Sequence, residues 1–337
     1  MKKQSLKIIP KVALLGIIAG VLYACGNGGN ASSSYKSISV PTTTYKQTDI
    51  QSKFAIYSSA GGGESTLTEI DTGSYFYVIE SSHAGSNISY TGESITLYYD
   101  HGDTMRSGNI AYTYVTYLDL NGNKIIQTNN QLPIVVVPDG VINTHNDPTK
   151  NYAILGMRLN SALSARLYLP YPYNQSYIFD APESQLVFGD FLSAQLESFG
   201  MVSLVSMPCN NGSITTIVNI SCWNDAALQV TYTAKYHGQD VESTFNTLFD
   251  SGASTNFQFI PIPDWLESTA GVVGNTALKS LLPTTLGAYD IQLNEPAALV
   301  ESNFNGGNMV NAGNELFNHY AVFYNQFTGQ LGLLGKK

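Results

Sequence analysis

Ile70-Asp71-Thr72-Gly73-Ser74 ends a run that alternates like a strand, and Phe249-Asp250-Ser251-Gly252-Ala253-Ser254 does the same in the other half of the chain. Each stretch sets one carboxylate after an apolar residue, then a hydroxyl residue, then glycine. Taken singly, either is an ordinary turn, because an Asp side chain bonds its own backbone and glycine accepts positive φ. As a pair they carry more. Two aspartates brought together cannot both ionise, so one gains proton affinity and the other loses it. That leaves one base and one acid at the same pH, which general acid–base hydrolysis requires.

The approach to each stretch is also repeated. Phe54-Ala55-Ile56-Tyr57 reads as a strand and Ala60-Gly61-Gly62-Gly63 as a turn, and Ser65-Thr66-Leu67-Thr68-Glu69-Ile70 alternates into Asp71. Residues 228–236 alternate, His237-Gly238-Gln239-Asp240 turns, and residues 241–249 return into Asp250. Further strands are expected at 75–79, 94–99, 108–118, 134–137, 152–156, 320–324 and 330–334, with short helices at 316–319 and 263–267. Asp100-His101-Gly102-Asp103 is a polar turn, so the segment around it forms a protruding hairpin.

Composition agrees with a chain built from strands. Of 337 residues, 11% are aromatic, 22 of them tyrosine, and only 12% are charged. Lys2, Lys3, Lys7 and Lys11 precede an apolar run over residues 12–24, too short to span a bilayer as an ordinary helix. The run ends in Leu22-Tyr23-Ala24-Cys25, which resembles a bacterial lipoprotein signal with Cys25 as the lipidated residue. A plain secretory signal or an uncleaved anchor is the alternative, and each puts the rest of the chain outside the cytoplasm. Gly26, rather than Asp, after the cysteine implies an outer-membrane lipoprotein of the cell envelope, facing periplasm or exterior. Residues 25–47, rich in Gly, Asn, Ser and Thr, are expected to be a flexible tether. Loss of residues 1–24 removes four lysines and moves the formal charge from −9 to about −13, which argues against a nucleic-acid partner. Cys209 and Cys222 are expected to form a disulfide around a hairpin, with Ile214-Thr215-Thr216-Ile217-Val218 as one of its strands. His83, His101, His145, His237 and His319 show no ligand spacing, so neither metal nor cofactor is expected.

Residues 54–334 resemble the pepsin-like aspartic peptidases. Residues 53–74 look like that family's opening hairpin and first catalytic loop. Tyr98-Tyr99-Asp100-His101-Gly102-Asp103 is similar to its flap, with Tyr99 in the place of the flap tyrosine. Ile154-Leu155-Gly156 resembles the element behind the first loop. Ser176-Tyr177-Ile178-Phe179-Asp180 and Gln185-Leu186-Val187-Phe188-Gly189-Asp190 resemble the strands crossing between lobes. The resemblance implies an all-β, bilobal fold of two β-barrel-like lobes, residues 48–190 carrying Asp71 and the flap and residues 191–337 carrying Asp250. It further implies an aspartic endopeptidase, expected to be monomeric, that acts on extended polypeptide in the cleft. Asp71 and Asp250 would hold the attacking water. Thr72, Gly73, Ser251 and Gly252 would brace the loops, Ser74 would bond Asp71 from outside, and Tyr99 and Gly102 would close over substrate.

Three departures from the family bear on the chemistry. Ala253 stands where many relatives carry a hydroxyl, and loss of a donor to a carboxylate raises its pKa, so milder acidity than pepsin's is expected. Val78 stands where relatives place a tryptophan that supports the flap tyrosine. Between Cys25 and Asp71 there is no room for a long pro-segment, so activation without one is expected. Two rivals remain: a pepsin-fold surface lipoprotein that binds peptides or proteins without cutting, and a β-rich adhesin in which both motifs are turns. The second leaves the repeated hairpin plan unexplained.

Overall fold

In the computed structural model, the described residues are 35–46, 52–99, 104–144, 147–236, 239–253, 258–260, 279–291 and 309–335. Cys25, Gly102, Ser254, Trp265, the flap tip and the expected helix at 263–267 lie outside them, as does the expected signal segment.

Strand Ser52–Ala60 turns at Gly61 and Gly62, whose φ of 64° and 73° suit glycine, and returns as Thr66–Asp71. The two pair antiparallel, with Ala55 opposite Glu69. On its other edge Thr66–Asp71 pairs in parallel with Ala153–Gly156, which puts Gly156 beside Asp71. This hairpin sits inside a ten-stranded sheet that also holds Tyr77–Glu80, Leu132–Val137 and the long hairpin Ser89–Tyr99/Thr104–Thr113. The second half repeats the plan. Leu228–Tyr236 pairs antiparallel with Gln239–Leu248, and Gln239–Leu248 pairs in parallel with Met309–Asn311, with Leu248 opposite Asn311.

A six-stranded sheet joins the halves. It runs Ser37–Pro41, Gln185–Gly189, Ser176–Asp180, Tyr320–Asn325, Gln330–Gly335, Gly200–Ser203. A division at residue 190 therefore leaves strands of one sheet on both sides. The main apolar cluster is continuous across the halves, from Phe54, Ile70 and Tyr77 through Phe179 and Phe188 to Phe249, Phe317 and Tyr324. Phe179 meets Phe54 edge-on at 5.3 Å and packs on Phe317 with the rings tilted at 5.1 Å. The result is an all-β bilobal architecture.

Two expectations need correction. The stretch expected to be tether is ordered from Ser37 to Lys46: Ser37–Pro41 pairs with Gln185–Gly189, and Thr43–Lys46 with Ser52–Ala60. Val40 in the first strand and Tyr45 in the second are buried, so one apolar residue in each anchors an otherwise polar segment. The segment between Cys209 and Cys222 is not a hairpin. The cysteines are bonded and the flanking strands Val205–Met207 and Cys222–Asn224 pair, but residues 214–218 form no strand.

Candidate active site

Asp71 ends its strand as the chain enters a two-residue turn, and Asp250 lies two residues past its own. The neighbouring parallel strands fix both loops from behind: Met157 N donates to Asp71 O at 2.8 Å, and Ala312 N to Leu248 O at 2.9 Å. The loops are then tied to each other reciprocally. Thr72 Oγ1 donates to Phe249 O at 2.8 Å and accepts from Ser251 N at 2.9 Å. Ser251 Oγ donates to Ile70 O at 2.7 Å and accepts from Thr72 N at 3.1 Å. Both hydroxyl residues are buried, so each bond satisfies groups that water does not reach.

The two carboxyls face each other over the glycines. A Cβ on Gly73 would overlap the Asp250 carboxyl, and one on Gly252 would overlap that of Asp71. Glycine is required here for close approach. Gly73 N donates to Asp71 Oδ1 and Gly252 N to Asp250 Oδ1, both at 2.8 Å. Burial, then the Asp250 and Glu69 carboxylates, push Asp71 up to about 7, against the partial opposition of Ser74 and Lys53. Ser74 Oγ lies close enough to exert that influence yet forms no hydrogen bond of ordinary geometry, so the expected outer bond to Asp71 is not made.

The missing hydroxyl at Ala253 is replaced from another strand. Asn311 Nδ2 donates to Asp250 Oδ2 at 2.6 Å, and Ala253 contributes its backbone N–H to Oδ1 at 3.2 Å. The premise that Asp250 lacks an outer donor is therefore wrong. Nothing in the local sequence around Asp250 points to Asn311, which comes from Met309–Asn311.

Five further charged residues, Lys53, Glu69, Arg158, Asp225 and Arg106, lie around the loops and carry no motif. Lys53 is buried against Glu69, with Nζ at 3.0 Å from Oε1, and also donates to Gly252 O. Glu69 Oε2 accepts from Tyr45 at 2.7 Å and Asn151 at 3.2 Å. Burial opposes the charge on Lys53, but Glu69, Asp250 and Asp71 outweigh it and hold the ammonium above its usual pKa. Arg158, whose N donates to Ser74 O, forks onto Asp225 at 3.0 and 2.8 Å. Arg106 lies over the Tyr99 ring at 4.5 Å, with Nε and Nη1 buried and without a hydrogen-bond partner.

Tyr99 packs on the cluster of Phe76, Val78, Leu97 and Val135. Val78 thus shares one apolar cluster with Leu97 and Tyr99, and Arg106 supplies the polar neighbour of the tyrosine ring. Burial and then Asp71 raise the Tyr99 hydroxyl well above its usual pKa, so it is a neutral donor near the dyad. Among the described residues no group of His, Cys, Asp and Glu could hold a metal ion, and no helix is long and apolar enough to cross a membrane.

No protein-family model matches the sequence, and no curated protein does. Solved structures do resemble it. An aspartic proteinase from Irpex lacteus is 14% identical and superposes with a TM-score of 0.56, covering 90% of this chain and 98% of its own. The protein edgp is 10% identical at a TM-score of 0.58, covering 89% and 95%. Basic 7S globulin from soybean is 9% identical at 0.58, covering 90% and 95%. One is named for an activity and another as a globulin, so at these identities the likeness speaks to architecture. The chain has the bilobal fold of the pepsin-like aspartic proteinases.

Proposed function

We propose that the protein is an aspartic endopeptidase that hydrolyses peptide bonds with a water activated by Asp71 and Asp250. The observation that carries this reading is the reciprocal tie between the loops, Thr72 to Phe249 and Ser251 to Ile70, with a glycine under each opposing carboxyl. A pair of turns has no need of it. The carboxylate takes a proton from water, and the water oxygen attacks the peptide carbonyl carbon. The protonated carboxyl gives its proton to the carbonyl oxygen, so charge never accumulates in the tetrahedral adduct. Return of protons through the same pair protonates the leaving nitrogen as the C–N bond breaks. Because Asp71 keeps its proton up to about pH 7, the working range extends toward neutrality. The ground for that range is burial, and no longer the alanine at 253. We further propose that the chain works in the cell envelope, held to a membrane by a lipid on Cys25.

The test is cleavage of a quenched peptide library by the full chain from acid to neutral pH, beside Asp71→Asn and Asp250→Asn. Cleavage by the wild type, lost in both folded variants, supports the reading. A folded wild type that cuts nothing at any pH but retains extended peptides replaces it with the peptide-binding alternative.

A further inference from the structure

The two carboxyls are held unequally. Among the described residues Asp250 accepts three hydrogen bonds, from Gly252 N at 2.8 Å, Ala253 N at 3.2 Å and Asn311 Nδ2 at 2.6 Å. Among the same residues Asp71 accepts one, from Gly73 N at 2.8 Å, and the nearby Ser74 hydroxyl makes none.

The amide of Asn311 has a defined orientation. Its Oδ1 accepts from Gly313 N at 2.9 Å, so Nδ2 must face Asp250; the reverse orientation would set a carbonyl oxygen against a carboxylate and leave Gly313 N–H facing a donor. A serine or threonine hydroxyl can donate to a carboxylate or accept from a carboxylic acid. An amide nitrogen only donates. A donor this close bonds a charged oxygen much more strongly than the hydroxyl oxygen of an acid, so the 2.6 Å bond favours Asp250 with Oδ2 free of its proton.

The repeat shows that this is a replacement in kind. Asn311 stands opposite Leu248, two residues before Asp250, as Ile154 stands opposite Glu69, two residues before Asp71. The first half has an apolar residue there and a hydroxyl at 74; the second has an amide there and a methyl at 253. Asn311 is 3% exposed, and a buried amide costs stability unless both its ends are bonded, as they are here.

We propose that Asn311 is a positioning residue of the dyad, which takes over the place of the hydroxyl absent at Ala253 and assigns Asp250 as the carboxylate and Asp71 as the acid. Its meaning for catalysis rests on the peptidase reading; the placement of the proton does not. Among the described residues, the other charged or titratable groups that act on Asp250 are Asp71, Lys53, Arg158 and the Tyr324 hydroxyl. Lys53 and Arg158 act on both aspartates, so they favour a charged dyad without choosing between its members. The amide bonds one of them alone. The upward shift of Asp71, caused chiefly by burial, points the same way.

The test compares the full chain with Asn311→Leu and with Asn311→Leu/Ala253→Thr. Two readouts are taken: a carbon-13 titration of the aspartate carboxyls, assigned with Asp71→Asn and Asp250→Asn, and the pH profile of kcat/KM on a cleaved peptide. Loss of a bond to a charged acceptor should raise the lower apparent pKa of the dyad by roughly one to two units. The acid limb of kcat/KM should move up with it, and Ala253→Thr should bring both back. An unchanged titration in folded Asn311→Leu overturns the proposal. A shift that Ala253→Thr leaves in place overturns the claim that the amide stands in for a hydroxyl. Should Asn311→Leu not fold, Asn311→Ser, whose side chain is too short to reach, is read the same way. A wild type that titrates as described but cuts no peptide defeats the peptidase reading and leaves the proton assignment standing.

Discussion

Burial governs Asp71 before any chemistry does. At 5% exposure, beside a second carboxyl and with Glu69 two residues upstream, it retains a proton that a solvated aspartate gives up. The consequence for stability has a definite sign. In the unfolded chain the group ionises near 3.8, and in the native protein near 7. Between those values the native state binds more protons, so stability falls as pH rises through the window and levels off above it. Asp71→Asn lacks this dependence. Its urea midpoint should therefore gain on the wild type between about pH 4 and about pH 7. A difference that stays flat across that range would show an ordinary carboxyl. At this scale the sequence revealed both aspartates and both hydroxyl–glycine pairs, because the motif occurs twice in one chain. Asn311, Lys53, Glu69 and Arg106 were not legible as site residues. Each is brought in by strand register or by packing, and a register is set by the fold as a whole.

The loops behave as one element made from two. Thr72 and Ser251 each contribute a donor and an acceptor to a four-bond ring, so either hydroxyl lost leaves a buried N–H or C=O without its partner. Thr72→Val and Ser251→Ala should each destabilise by about 2 kcal/mol and depress cleavage by more than that stability loss explains. In combination they should cost clearly less than the sum, because the four bonds brace the same two loops, and loops that part when one hydroxyl is lost already weaken the bonds of the other. Additive midpoints in denaturant would mean that the loops are held independently. The strands leading into the loops were readable from their alternation, which over Gln239–Leu248 matches a half-buried pleat, whereas Thr66–Asp71 is buried on both faces. The same reasoning failed at two places for one reason. Strand preference is a preference for a pleated neighbour. Ser37–Pro41 has one in Gln185–Gly189 despite its serines, and residues 214–218 have none despite their isoleucine, threonine and valine.

Across the whole molecule the halves are stitched at more points than the dyad. Lys53 of the first half donates to Gly252 O, and Asn314 Nδ2 donates to Ser52 O at 2.6 Å. Lys53→Met should cost about 3–5 kcal/mol because Glu69 is left charged and buried, and adding Glu69→Leu should recover much of it. Failure of the second change to recover stability would place the loss in the Gly252 tie instead. A bilobal fold was expected from the resemblance to the pepsin-like peptidases, while these cross-connections were not legible, since they join residues with no common pattern. A further connection is the loop closed by Cys209 and Cys222, thirteen positions apart. It leaves the second half and docks on the first: Asn211 Oδ1 accepts from Ser161 Oγ at 2.9 Å and from Ala162 N at 2.8 Å, and Asn210 N donates to Asn160 O at 2.8 Å. Its far side reaches the flap hairpin, where Tyr112 donates to Thr215 O at 3.2 Å and Ile214 packs on the cluster that carries Leu97 and Tyr99. Opening the disulfide should therefore do two separable things. Cys209→Ser/Cys222→Ser should lose about 2–3 kcal/mol through the freed chain entropy of a loop this size. It should also lower kcat/KM well below the unfolding range, because the flap strand loses its backing, and Tyr112→Phe should reproduce part of that loss with little change in stability. Full wild-type kcat/KM in the folded double variant would confine the loop to a stabilising role and detach the flap from the second half of the chain.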